Sequence, residues 1–247
     1  FYIALSIFYQ KKYKAAIFEF NSFLNKSSTA VLQNESRFWI GDSYFRLNDF
    51  VKAIEAYNRF IKRSSNQELL LKCYERIGTI YYIQRRYDEA VIEWKKYISK
   101  SKDKKLNAIV LVKIGDAHFQ NKNYNEALKI LNRIITSRND LKLLAKARLV
   151  IGRIYQLKGN YRRALITFNS IPSQLQKEMP FAEVGYFKAL SNLNLNRINE
   201  AKTQLKIFIL IGKNSLWYYN AKFHLGKILL KGDDSSIGST HLEDVRI

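Results

Sequence analysis

The sequence predicts an all-α protein made of six stacked helix pairs followed by a terminal helix. Three observations predict it. A small residue recurs at Ala4, Gly41, Gly78, Gly115, Gly152, Ala189 and Gly226, always 37 residues after the one before. An alanine keeps the same step at Ala16, Ala53, Ala90, Ala127, Ala164 and Ala201. Only two prolines occur, Pro172 and Pro180, which suits a chain that is helical almost throughout. One helix pair cannot bury its apolar face alone, so a fixed period implies neighbours stacked into an elongated solenoid.

The clearest unit contains Arg76–Ile98. Its first helical run carries Ile77, Ile80, Tyr81 and Ile83 around Gly78, and a polar turn follows at Arg85–Arg86. Its second run places Tyr87, Ala90, Val91, Trp94, Tyr97 and Ile98 at spacings of three and four, one face of a helix. Three residues before each alanine stands Tyr13, Phe50, Tyr87, Tyr124, Tyr161 or Ile198. Four residues after it stands Phe20, Tyr57, Trp94, Leu131, Phe168 or Leu205.

The units fall near residues 1–30, 31–67, 68–104, 105–141, 142–178 and 179–215, with a partial seventh at 216–231. Helices are expected near Tyr13–Leu24, Glu35–Arg46, Phe50–Lys62, Asn107–Gln120, Tyr124–Thr136, Lys142–Leu157 and Tyr161–Ser170. The sixth copy departs most from the pattern, because Pro172 and Pro180 flank its start; its helices are expected near Phe181–Leu193 and Ile198–Ile211. A last helix, near Leu216–Lys231, is apolar on several sides. Residues 232–247 are rich in Gly, Asp and Ser and read as a polar tail, with Gly238 where the next alanine would stand. That leaves the last helix either covered by the tail or open to a partner.

Apolar residues make up 47% of the chain and aromatics 14%, ample for a continuous core. The 42 Lys and Arg against 21 Asp and Glu give a net charge of +21, which draws attention to acidic partners. A compositional bias toward Lys, Asn, Ile, Tyr and Phe accounts for the same excess as a solvated surface. The single cysteine, Cys73, excludes an internal disulfide framework and any multi-cysteine metal site. The apolar start FYIALSIFY is too short for a membrane span, which takes about 20 residues. It matches a first helix entered part-way, which leads us to expect chain upstream of Phe1.

These columns resemble the tetratricopeptide repeat, in which a small residue of helix A, an aromatic at the turn, an alanine of helix B and a bulky residue four later recur together. Here they are Gly78, Tyr87, Ala90 and Trp94, with equivalents in the other units. The resemblance implies a right-handed α-α superhelix, binding of a protein or peptide partner, no cofactor and no catalysis. Two features narrow it. The period exceeds the common 34 residues, and the late helix-B column is large at Phe23, Phe60, Tyr97, Ile134, Ile171 and Phe208. Ser-rich turns follow, as in FLNKSS, FIKRSS and YISKSK. This form, with SRFWIGDSYF at the start of one unit, is similar to envelope repeats: the periplasmic Tol–Pal repeat protein and the outer-membrane assembly repeat lipoprotein. It implies a bacterial cell envelope or periplasmic location, with the cytoplasm as the alternative. The Tyr-Pro pair of those repeats is missing from every unit.

The chain offers little to reaction chemistry. His118, His224 and His241 lie far apart, and neither His224 nor His241 has a cysteine or carboxylate at ligand spacing. His118 stands in the column of Tyr44, Tyr81 and Tyr155, so it reads as a packed side chain. Cys73 reads as a buried, inert thiol. Gly212-Lys213-Asn214 lacks the upstream glycine and the hydroxyl residue of a phosphate loop. Asp233–Asp234 read as solvated tail. No catalytic residue and no metal site is assigned.

In the resembled family the inner face of helix A lines the binding groove. Its columns here are Phe38, Asp42 and Phe45, then Glu75, Thr79 and Tyr82, then Val112, Asp116 and Phe119. Leu149, Arg153 and Gln156 follow, then Tyr186 and Leu190. This lining is aromatic and aliphatic, with three acids and one base, and suits an apolar or weakly basic segment. The alternative is that Phe45, Tyr82 and Phe119 pack against adjacent helices and Asp116 pairs with Arg153. If the groove binds, replacing Asp42, Tyr82 and Phe119 together abolishes binding and leaves helicity intact. Positive charge collects instead at the turns, on Lys11, Lys12, Arg85, Arg86, Lys122, Arg162, Arg163 and Arg197. Helix B adds Arg59, Lys96 and Arg133 in one column. The leading expectation is a non-catalytic interaction scaffold. The alternative is an electrostatic binder of anionic membrane or nucleic acid through the basic edge, with nucleic acid the weaker choice because most aromatics sit in core columns.

Overall fold

The computed structural model describes residues 1–27, 29–64, 66–137, 140–177, 180–231 and 235–243. Among them every regular element is helical, and the all-α expectation holds. The chain forms two compact units, Phe1–Val110 and Leu111–Ile247. In the first, α1 (Tyr2–Tyr9), α2 (Tyr13–Lys26), α3 (Ala30–Arg46), α4 (Phe50–Ile61), α5 (Gln67–Ile83) and α6 (Tyr87–Lys100) pack as successive antiparallel pairs. α7 (Lys104–Gln120) begins there and ends in the second unit. The second continues with α8 (Tyr124–Ile135), α9 (Leu141–Leu157), α10 (Tyr161–Asn169), α11 (Glu183–Asn194), α12 (Ile198–Ile211), α13 (Tyr218–Leu230) and α14 (Ser235–Glu243). A 3-10 turn at Leu175–Lys177 lies between Pro172 and Pro180.

The two repeating columns meet in space. A Cβ added to Gly41 would lie 2.8 Å from the Tyr57 ring, and one on Gly78 would lie 2.5 Å from Trp94 Nε1. At Gly115 and Gly152 the corresponding distances, to Leu131 and Phe168, are 2.5 and 2.2 Å. In each pair the large side chain of helix B rests on bare backbone of helix A, 16 residues earlier. The alanines do the matching job from helix B: Ala16, Ala53, Ala90, Ala127, Ala164 and Ala201 are all 0% exposed. The large late column is core as well, since Phe60, Tyr97, Ile134, Ile171 and Phe208 are buried.

The turns between paired helices repeat with equal fidelity. Lys11, Asn48, Arg85, Lys122, Gly159 and Asn196 all have φ between 58° and 71°, the left-handed conformation that ends a helix sharply. Behind this residue the amide of the next one donates to a carbonyl inside the helix just ended, as Arg86 N does to Tyr81 O at 2.8 Å. Asp49 and Asn160 then cap the following helices, accepting from the amides of Lys52 and Arg163.

Two expectations are revised. The A helices start earlier than the columns suggested, α3 at Ala30 rather than Glu35 and α5 at Gln67 rather than Arg76. Side-chain caps set the starts of several of them: Asn66 accepts from Leu69 N, Asp103 from Lys105 N and Leu106 N, and Asp140 from Lys142 N and Leu143 N. The tail is the second. Within 232–247, Ser235–Glu243 is helix α14 and packs on α13, so the last helix has a partner. Helix propensity is a weak prior that packing overrides, and Gly238 keeps a small residue in the alanine register. Asp233–Asp234 lie outside the described residues.

Candidate functional site

The fourteen helix-A side chains proposed as groove lining divide into a buried and a half-buried set, and none is fully exposed. Phe38, Asp42, Val112, Phe119, Leu149 and Tyr186 are 2–8% exposed. Phe45, Glu75, Thr79, Tyr82, Asp116, Arg153, Gln156 and Leu190 are half-buried.

In the first unit the centre of the row is Asp42. Its carboxylate accepts from the Tyr57 hydroxyl at 3.1 Å and from Arg76 Nε at 3.0 Å, with Arg46 Nε at 3.7 Å. Arg76 also reaches Glu75 at 3.3 Å and lies 5.0 Å from the Phe45 ring centre. Burial works against the Arg76 charge, yet Asp42 and Glu75 hold its pKa above the usual range. Burial, then the Asp42 charge, pushes the Tyr57 phenol well up, so its hydroxyl stays a donor. A carboxylate 4% exposed with this set of partners is a structural anchor, and the expectation that Asp42 can be replaced without harm to the fold is corrected. Phe119, 5% exposed, falls under the same correction.

Glu75, Thr79 and Tyr82 leave more surface open. Thr79 Oγ1 donates to the Glu75 carbonyl at 2.9 Å and lies 3.1 Å from its Oε1. The Tyr82 ring meets Tyr87 and Trp94 at centroid distances of 5.4 and 5.9 Å. In the second unit Arg153 stands among three rings, 4.7 Å from Phe119, 5.0 Å from Phe187 and 6.0 Å from Trp217. Tyr186 stacks on Trp217 at 5.3 Å and 17°. Gln156 Nε2 donates to the Phe187 carbonyl at 2.6 Å and to Ser191 Oγ at 2.7 Å. Sequence reasoning missed Arg76, Phe187 and Trp217. Along the chain Arg76 shows only as a cation one turn from Thr79 on the same helix, which does not mark it as the partner of Asp42.

The basic-edge residues Lys11, Lys12, Arg85, Arg86, Lys122, Arg162, Arg163 and Arg197 are exposed at or beside the turns. Several are engaged by the protein itself. Arg86 pairs with Glu89 at 2.9 Å and lies 4.5 Å over Tyr81, and Arg163 lies 5.9 Å from Tyr155. Cys73 is fully buried, and burial followed by the Asp42 charge pushes its thiol up out of the reactive range. Among the described residues, no three His, Cys, Asp or Glu side chains gather to hold a metal ion, and no helix is long and apolar enough to cross a membrane.

This architecture defines an all-α repeat protein built of stacked helix pairs. More particularly, family models of the tetratricopeptide repeat match residues 35–66 and 76–142. Solved structures share the fold. The C-terminal part of a TPR repeat-containing protein from Cytophaga hutchinsonii superposes with a TM-score of 0.72 at 14% identity, over 98% of this chain and 93% of that one. The STAND signal-transduction ATPase of Pyrococcus horikoshii, which has a tetratricopeptide repeat sensor, gives 0.74 at 15%, over 99% of this chain and 41% of its own. YrrB, described as a TPR protein with an unusual peptide-binding site, gives 0.57 at 18%, over 82% of this chain and 97% of its own. None of the curated proteins matches the sequence.

Proposed function

We propose that the protein is a non-catalytic scaffold that takes up a segment of a protein partner along its helix-A row, in a bacterial cell envelope. One observation carries the site: the alanine column between paired helices is sealed at 0% exposure, whereas Glu75, Thr79 and Tyr82 remain half open. The same holds for Arg153, Gln156 and Leu190 in the second unit. Open aromatic and amide groups on rigid helices present contact area at small entropic cost. The repeat is a scaffold fold, and a structural neighbour is described as binding a peptide, which supports this reading. The 37-residue period and the Ser-rich helix ends support the envelope location. The basic-edge alternative is not favoured, because Arg86 already pairs with Glu89 and stacks on Tyr81.

The test is a peptide-display selection on the immobilised protein, followed by anisotropy titration of the selected peptide. Thr79→Arg and Tyr82→Ala are each expected to weaken binding about tenfold or more while leaving the helical circular dichroism unchanged. Unchanged affinity in both variants would move the site off this row. Fractionation of the native cells tests the location; recovery in the cytosolic fraction would reject the envelope.

A further inference from the structure

The first unit carries a second concavity on a different side of the helix pairs. Side chains of α2, α3 and α4 enclose an open groove of about 660 Å³. Its apolar lining is Leu24, Ile40 and Ala56, with Tyr44, Asn21 and Asn25 also lining it. Five basic side chains line it, Arg37, Lys52, Arg59, Lys62 and Arg63, against a single carboxylate, Glu55.

Little inside the protein neutralises them. Lys52 is held by Asp49 at 2.9 Å, and Arg59 approaches Glu55 only at 3.8 Å, both side chains being exposed. Among the described residues no carboxylate pairs with Arg37, Lys62 or Arg63. Burial first, then the charges of Arg63 and Arg59, hold the Arg37 guanidinium below its usual range, as expected of cations crowded together without a counter-ion.

Two other repeats offer comparisons in the columns of Arg37 and Arg59. One repeat on, Tyr74 replaces Arg37, and Lys96, the counterpart of Arg59, pairs with Glu93 at 2.6 Å. Glu93 occupies the column of Ala56, so the repeat of α3 and α4 lacks that balancing acid and has a small side chain in its place. In the second unit Arg148, in the Arg37 column, donates to the Ser170 carbonyl at 3.0 Å. Only in the repeat of α3 and α4 do the unbalanced guanidinium groups and a cavity coincide among these three.

We propose that the groove between α2, α3 and α4 binds a small organic phosphate bearing two or more phosphate groups. Arg37, Arg59 and Arg63 would grip the oxyanions, and Leu24, Ile40 and Ala56 would receive the organic body. Guanidinium groups suit this role because their planar N–H pairs match phosphate oxygens. A soluble phosphate and a phosphorylated lipid headgroup share this chemistry.

The test is calorimetric titration of the intact chain with inorganic pyrophosphate, with Arg37→Gln, Arg63→Gln and the exposed control Lys95→Gln compared. Saturable binding of one equivalent is expected, weakened about tenfold or more in both arginine variants and little changed in the control. Circular dichroism checks that each variant folds, and the exposed Arg63→Gln carries the test should Arg37→Gln fail. Vesicles of phosphatidylcholine with and without phosphatidylinositol bisphosphate separate the sources. Co-sedimentation only with the phosphorylated lipid, lost in Arg63→Gln, assigns a headgroup; pyrophosphate binding without co-sedimentation assigns a soluble ligand. Absence of saturable pyrophosphate binding, or equal weakening in Lys95→Gln, would overturn the proposal and leave the cluster as a solvated basic surface.

Discussion

A Cβ at position 78 would sit 2.5 Å from the indole nitrogen of Trp94, whose own N–H donates to the Glu75 carbonyl at 3.3 Å. The indole has no room to yield, so Gly78→Ala is expected to cost about 1–3 kcal/mol by overpacking, measured as a fall in the urea midpoint. Leucine at Ala90 or Ala127, both fully buried, should cost a similar amount. The left-handed turn residues predict the opposite sign. Lys122 has φ 61° and is exposed, so Lys122→Gly should stabilise by about 0.5–1 kcal/mol, whereas Gly159→Ala, at φ 71°, should destabilise. At His224 burial, and after it Lys227, hold the imidazole pKa below its ordinary 6.5. The unfolded chain therefore takes up that proton first as pH falls. The stability His224 contributes is full above about 6.5 and is lost as pH drops toward its lowered folded value. His224→Gln should flatten that part of the thermal-stability profile; an unchanged slope would assign it to other groups. The small-residue and alanine columns were legible in the sequence because each encodes one close contact repeated in register. The left-handed column was not, because it is filled by Lys, Arg and Asn as well as Gly.

At the scale of the helix, the face a residue occupies decides what one residue type is worth. Ile40, Ile77, Ile114 and Ile151 share one column and are 1–7% exposed, whereas Ile92 on α6 is 53% exposed. Ile77→Ala is expected to cost about 2–5 kcal/mol, and Ile92→Ala within about 0.5 kcal/mol of nothing. Equal costs in equilibrium unfolding would contradict the packing described. The pair joining α3 to α5 gives a second test. Arg76→Ala would strand the Asp42 carboxylate, 4% exposed, and should cost about 3 kcal/mol, with Arg46 at 3.7 Å offering limited relief. Here the sequence misled: Asp42 reads as an acid in a groove column, and nothing along the chain marks Arg76, 34 residues away, as its partner. The early starts of α3 and α5 were hidden for a related reason. Their first turns lie before the repeating columns, and their caps are single Asx side chains or none. α14 was hidden by composition, since Ser and Gly read as loop.

At the scale of the whole molecule, fold and site differ in how far they were legible. A period of 37 residues carried through six copies determines helix pairing and packing, and no local irregularity erases it. The proposed binding surface is what remains after packing has claimed its share, and that remainder is visible only in the folded structure. Of the helix-A row, six residues were claimed by the core and eight stayed half open. The net charge of +21 is likewise uneven in meaning. Some of it is spent in pairs such as Lys96 with Glu93, and some is left uncompensated around Arg37. Salt therefore separates the two surfaces: peptide binding on the helix-A row should vary little with ionic strength, and pyrophosphate binding should weaken steeply.

The central claim is that a partner segment is taken by the helix-A row rather than by the charged turns. Photo-crosslinking tests it most directly, with a photoreactive amino acid placed at Thr79 in one preparation and at Arg86 in another, each exposed to the selected peptide. A covalent adduct is expected from position 79 and none from position 86. An adduct from position 86 alone would contradict it.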